Sequence, residues 1–287
     1  VSLYRTLYYR ELIARFAHHN NIIWNLGEEN GPAEFSPEGQ SPDQVKAMAS
    51  WFKENDPYKH PVLVHSHSWE EAKDATLAPL LGHQYLDGIS MQVDRKETVN
   101  TSFIKWRQLS AAAGNPWILS MDEIGMYHSG ALPDEFDPDH DTLRSEVLWG
   151  SLMAGASGVE WYFGYKFPND DLNTEDLRSR DVLWEQTAHA KLFFEEHVPW
   201  WVMEPSNERL EGQGFALSIP GSTYLIFLKK GNSGTINLSG HGGDYNALYF
   251  DPKSGEELFK SRLEIGDSFR INSPNGYTGD LVVLLKK

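Results

Sequence analysis

The 287-residue chain contains no cysteine, which removes disulfides, thiolate metal sites and cysteine nucleophiles and leaves oxidising and reducing compartments equally open. Basic residues are scarce. The 25 Lys and Arg against 41 Asp and Glu give a net charge of -16, a surface that repels nucleic-acid backbones and anionic membranes. Neither is expected as a partner. No stretch reaches the roughly 20 unbroken apolar residues that a membrane helix requires. The chain opens on Val1 without a basic segment or an apolar leader, so any export signal is expected upstream or already removed. Internal repeats and low-complexity tracts are also missing. Carboxylate, histidine and hydroxyl chemistry remains, and no cofactor or metal is called for.

To about residue 199, helical stretches alternate with short strand-like runs, the pattern of βα units around a parallel sheet. Leu3 to His18 has helical spacing and leads into a strand at Ile22 to Trp24. Further strands are predicted at Pro61 to His65, Leu86 to Gln92, Pro116 to Met121 and Gly158 to Phe163. The intervening helices cover Ser41 to Asn55, Trp69 to Leu81, Glu97 to Ala113, Thr142 to Ala156 and Val182 to Glu196. From Gly212 onward short β-rich runs punctuated by Gly, Asn, Ser and Pro predict a small antiparallel sandwich. Two domains follow, 1–203 and 204–287, with the seam at Glu204 to Gln213.

Five strands preceded by a helix fit the fourth to eighth strands of a (β/α)8 barrel, which places about three βα units upstream. An N-terminal fragment supplying the first three strands is therefore a possible partner. The competing architecture is an open, doubly wound sheet of five strands.

Acidic doublets sit at two strand ends, Glu28-Glu29 and, three units later, Asp122-Glu123. In barrels such ends carry the catalytic groups, and two carboxylates across one pocket are what glycoside hydrolysis requires. Strand-end acids also cap helices or bind Lys and Arg, so one doublet alone says little. Alternation along an extended strand lets one member of each doublet face a pocket.

The run Asn21-Ile-Ile-Trp-Asn-Leu-Gly-Glu-Glu-Asn30 together with Met121-Asp-Glu-Ile-Gly125 resembles strands four and seven of clan A glycoside hydrolases. The nearest likeness is to apiosidase-like barrels followed by a collagen-binding-type β domain. It extends over most of the chain, through Leu148-Trp-Gly-Ser-Leu-Met-Ala-Gly-Ala-Ser-Gly158 and Tyr249-Phe-Asp-Pro-Lys-Ser-Gly255. The resemblance implies a secreted or periplasmic retaining hydrolase of a plant or algal poly- or oligosaccharide. It makes Glu29 the acid/base and Glu123 the nucleophile, acting by double displacement across a gap of about 5 Å. One departure stands out: Glu28 occupies the position where the clan carries Asn.

Substrate contacts are expected from Asn25 and Glu28 on the first strand end and from Gln92 on the third. His65 and His67, two apart, share a strand face and are placed to bind hydroxyls or tune a carboxylate. Trp161 is the expected sugar platform at strand eight, and Tyr127 follows the nucleophile loop. The 10 Trp and 12 Tyr suit the C–H faces of sugar rings, though aromatics also fill cores. Asp137, Asp139 and Asp141 are expected in a solvated acidic turn rather than a calcium loop. Arg178 and Arg180 are expected to pair with Asp176 and Asp181. Two other functions compete: a non-catalytic carbohydrate- or matrix-binding adhesion protein on a barrel scaffold, and a metal-dependent hydrolase using His65 and His67.

Overall fold

The structure, a computed structural model, describes residues 2–231 and 233–287. It divides into two compact units. The first comprises 1–95, 105–125 and 156–161, and the second 96–104, 126–155 and 162–287.

The first unit is built on a parallel sheet of β1 (Trp24–Asn25), β2 (Val62–His65), β3 (Gly88–Val93), β4 (Ile118–Ile124) and β5 (Gly158–Val159), in the order 1-2-3-4-5. A doubly wound sheet reverses its strand order at a switch point, and this one never does. Sequential addition of parallel strands by right-handed crossovers keeps the helices on one face, as in a barrel wall. Every residue of β2 and β3 is buried, the signature of inner parallel strands. β1 and β5 each pair with one named strand, so these five strands do not close on one another.

The helices α1 (Leu3–Phe16), α2 (Pro42–Asn55) and α3 (Glu70–Leu77) match their predicted positions. α2 begins at a capping box formed by Ser41 and Gln44, with Pro42 at its first turn, and buries Val45, Met48, Ala49 and Phe52 at helical spacing. α1 differs: Ile13 is its one buried residue, while Leu3, Tyr4, Leu7 and Tyr8 face outward. Residues of α4 (Val99–Ala112) belong to both units.

The predicted strand bounds shift. β1 and β3 each begin two residues later and end one residue later than expected, and β4 continues past Met121 to Ile124, taking Asp122 and Glu123 into the strand. β5 stops at Val159, so Glu160 to Phe163 are not strand: beyond the Glu160 N–H to Met121 carbonyl bond (2.7 Å), sheet pairing ends.

The second unit contains the sandwich and the helices packed on it. A π-helical turn (Leu143–Leu148) and the short α5 (Trp149–Leu152) replace the single helix predicted from Thr142, and α6 spans Asp181–His197. The strands are β6 (Glu204–Pro205), β7 (Leu210–Glu211), β8 (Gly214–Ile219), β9 (Thr223–Leu228), β10 (Gly234–Asn237), β11 (Gly243–Phe250), β12 (Glu257–Ile265), β13 (Ser268–Ile271) and β14 (Leu281–Lys286). They form an antiparallel six-stranded sheet, 12-11-14-9-8-6, and a three-stranded one, 13-10-7.

Alternation explains why β9 is buried throughout. Tyr224, Ile226 and Leu228 enter the core with Ile236, Tyr245, Ile271 and Val283. On its other face Phe227 stacks on Trp149 of α5 (centroids 5.4 Å apart), and Phe250 of β11 meets Phe193 of α6 at 4.5 Å.

Candidate active site

The carboxyl ends of β1 to β4 carry a connected set of polar side chains. Asn25 Nδ2 donates to Ser90 Oγ (3.1 Å), which lies 3.1 Å from His65 Nδ1, while His65 Nε2 is 3.6 Å from Glu123 Oε2. The Ser90 hydroxyl, already accepting from Asn25, finds its acceptor in His65 Nδ1. That assignment leaves the proton on Nε2, turned toward Glu123. At 3.6 Å the last contact is an ion-pair distance rather than a hydrogen bond, and Nε2 is buried without a hydrogen-bond partner.

Burial pushes the His65 imidazole below its ordinary pKa, against the pull of the Asp122 and Glu28 charges and with a further push from His67. His65 is therefore neutral at pH 7, a dipole rather than a cation facing the carboxylate. Of the first doublet, Glu28 is the member whose charge acts on it.

The doublets are not presented as alternating strand residues. After β1 the backbone turns through left-handed conformations at Gly27 (φ 98°), Glu29 (φ 44°) and Gly31 (φ 105°), leaving Glu28 exposed and Glu29 half-buried. A non-glycine residue at positive φ is uncommon and needs support from its surroundings. Asn30 supplies it: its N–H and its Nδ2 both reach the His65 carbonyl (3.2 and 3.1 Å), and Nδ2 also reaches the Gly27 carbonyl (3.0 Å). Gln40 Nε2 spans Leu26 O and Asn30 Oδ1 (2.8 and 2.9 Å). The turn bearing Glu28 and Glu29 is thereby tied to the end of β2.

At the second doublet the β3–β4 register slips. Met91 faces Met121 but Gln92 faces Glu123, so Asp122 is the extra residue of a bulge. Asp122 accepts from Ser120 Oγ, and Glu123 is buried. Gln92 is buried beside it with Oε1 unpartnered, its N–H bonded to Ser66 Oγ (3.1 Å).

His67 departs from expectation. The chain leaves the strand after His65, and His67 Nε2 meets the Gly31 carbonyl (2.9 Å) while its ring stacks on Trp69 at 4.8 Å. It braces the Glu28–Glu29 turn. Among the described residues no group of three His, Asp or Glu side chains is arranged to hold a metal ion. Trp161 is buried, beyond the end of β5. Tyr127 belongs to the second compact unit, where it is exposed and packs on Tyr165.

Ser90 and Asn30 escaped the sequence reading. Ser90 carried a signal, two residues before Gln92 on the same strand face; Asn30 shows its role only through the turn it fixes. Elsewhere two expectations change. Arg180 pairs with neither Asp176 nor Asp181: it bonds the Ala131 and Asn169 carbonyls (2.8 and 2.9 Å) and lies over the Phe163 ring, while Arg178 does pair with Asp176 at 2.8 Å. Asp139 and Asp141 are not merely solvated; they pair with Lys253 (2.5 Å) and Arg144 (2.6 Å).

No known family model and no curated protein matches the sequence. Solved structures do match in fold. A glycoside hydrolase is similar over 98% of this chain and 68% of its own, with 16% identity and a TM-score of 0.64. A glycoside hydrolase family 5 protein from Bacteroides vulgatus is similar over 98% and 66%, with 19% identity and a TM-score of 0.66. A glucosidase from Croceicoccus marinus is similar over 98% and 74%, with 13% identity and a TM-score of 0.50. The chain thus has the mixed α/β fold of glycoside hydrolase barrels and spans about two thirds of the first two proteins.

Proposed function

We propose that this chain carries the catalytic carboxylates of a retaining glycoside hydrolase of the clan A type, with Glu123 as nucleophile and Glu29 as acid/base. The observation that carries the reading is Glu123 itself, a buried carboxylate at a bulged strand end, facing a neutral His65 and standing in the register of Gln92. In the first step Glu123 attacks the anomeric carbon while the Glu29 carboxyl gives its proton to the leaving oxygen, forming a glycosyl-enzyme ester. Glu29 then takes a proton from water, whose oxygen displaces Glu123 with net retention. A neutral His65 can donate a hydrogen bond from Nε2 without forming a strong ion pair that would blunt the nucleophile. Asn25 and Gln92 are the substrate-contacting amides, and Trp161 the platform.

Glu28 is the second candidate for the acid, favoured by the reach of its charge to His65. The substrate class is a plant or algal poly- or oligosaccharide, the setting is secreted or periplasmic, and the finer kinship is to the apiosidase-like barrels with a collagen-binding-type β domain. We further infer that three βα units from a segment outside this chain complete the barrel. The sequential strand order, the single neighbours of β1 and β5, the outward apolar side chains of α1 and the 68% and 66% coverage of the first two similar proteins support this.

The test is release of reducing sugar from a panel of plant and algal polysaccharides. Glu123→Gln is expected to abolish it. Glu29→Gln is expected to lower it by about 10²- to 10⁴-fold, least on aryl glycosides whose leaving groups need no proton. Undiminished release by Glu123→Gln would remove the nucleophile, and a larger loss in Glu28→Gln than in Glu29→Gln would exchange the acids. A parent that binds these polymers without cleaving them would favour the adhesion reading.

A further inference from the structure

Two loops of the second unit, residues 126–131 and 162–171, are locked together more tightly than exposed loops need to be. Tyr165 N–H and Lys166 N–H both bond the His128 carbonyl (3.2 and 3.0 Å), Ala131 N–H bonds the Tyr162 carbonyl (2.7 Å), and Tyr162 Oη donates to the Tyr127 carbonyl (2.6 Å). Two glycines permit the approach. A Cβ on Gly130 would stand 2.2 Å from the Tyr162 carbonyl oxygen, and one on Gly164 2.6 Å from that of His128. Asp171 closes the second loop by accepting from Phe163 N–H at 2.8 Å. This frame presents two aromatic rings to solvent: Tyr127 is 63% exposed and Tyr165 50%, their centroids 6.1 Å apart and their planes at 46°. Neither hydroxyl has a hydrogen-bond partner among the described residues. Exposed, rigidly held aromatic surface marks a binding surface, and a tyrosine offers a flat apolar face with a polar edge.

We propose that Tyr127 and Tyr165 form a stacking platform for the rings of a neutral saccharide polymer or long oligosaccharide. The proposal rests on the glycosidase reading above. Neutrality follows from the loop's own charge, Asp170 and Asp171 against the single Lys166 between 162 and 171, in a chain of net charge -16.

The test is affinity electrophoresis in the uncleaving Glu123→Gln background, through gels containing barley β-glucan, arabinoxylan, galactomannan or, as the anionic control, polygalacturonate. At least one neutral polymer is expected to retard the protein. The pair Tyr127→Ala/Tyr165→Ala is expected to weaken that affinity about tenfold or more, with an unchanged melting temperature, whereas Tyr127→Phe/Tyr165→Phe retains it because stacking survives. Retardation equal in the Ala pair, or by polygalacturonate alone, or by none of the polymers, overturns the platform. Tyr-dependent retardation by a parent that releases no reducing sugar would overturn the catalytic reading and leave the platform standing.

Discussion

At the scale of the residue, the chemistry turns on the imidazole of His65. Its proton position is set by the Asn25 to Ser90 to His65 relay, and its neutrality by burial. The sign of the pH effect follows. An unfolded histidine titrates at about 6.5 and the folded one lower, so between the two values the unfolded chain binds more protons. The contribution of His65 to stability is complete above that unfolded value and is lost as pH falls through the window beneath it. Calorimetric melting between pH 5 and 8 is expected to show a declining Tm on the acid side, with a shallower decline in His65→Gln. Equal slopes would mean that His65 is not the titrating group. Both His65 and Glu123 were legible in the sequence as residues at strand ends; the 3.6 Å that joins them was not, because it bridges β2 and β4 across an intervening strand.

At the scale of the element, the carboxylate pairs sit where regular structure is interrupted. Asp122 is inserted as a bulge, and the Glu28–Glu29 turn passes through three left-handed residues. The simple alternation expected of extended strands fails at both. Gly31 shows how tightly the turn is seated: at φ 105° a Cβ there would lie 2.2 Å from Thr76 Oγ1. Gly114 offers a control, with φ 82° and nothing within 4 Å. Gly114→Ala is expected to cost about 1 kcal/mol for the backbone alone. Gly31→Ala is expected to exceed it by about 1–3 kcal/mol, because Thr76 must move as well. Urea midpoints measure both, and equal losses would show that the contact with Thr76 is readily relieved.

At the scale of the whole molecule, the second unit is held by a buried charge cluster that ties the π-helical turn to the sandwich. Arg144 Nε and Nη2 bond Asp280 Oδ2 (3.0 and 2.8 Å), with side chains only 2% and 4% exposed, and Asp280 Oδ1 accepts from Lys230 N–H at 2.7 Å. Burial pushes the Asp280 carboxyl up, and Arg144 offsets this only in part. Removing one partner strands the other charge, so Arg144→Ala is expected to destabilise by about 3–5 kcal/mol in chemical denaturation. The paired change Arg144→Met/Asp280→Leu is expected to be much milder. A loss as large in the pair would mean that volume, not charge, holds this junction. The cluster, with Trp149 stacked on Phe227, shows the sandwich braced by the helices against its outer face.

By itself the sequence determined the element order, the antiparallel texture after Gly212 and the carboxylate doublets at the ends of two strands. All of these are local: periodicity, turn residues and charge are written within a few positions of one another. Tertiary structure decided the strand order that rules out a doubly wound sheet, the bulge that takes Asp122 out of register, and the relay from Asn25 to Glu123. These depend on which strands become neighbours and how the chain turns between them, and contacts between residues 65 and 58 positions apart, from Asn25 to Ser90 and from His65 to Glu123, leave no periodic trace in a single chain.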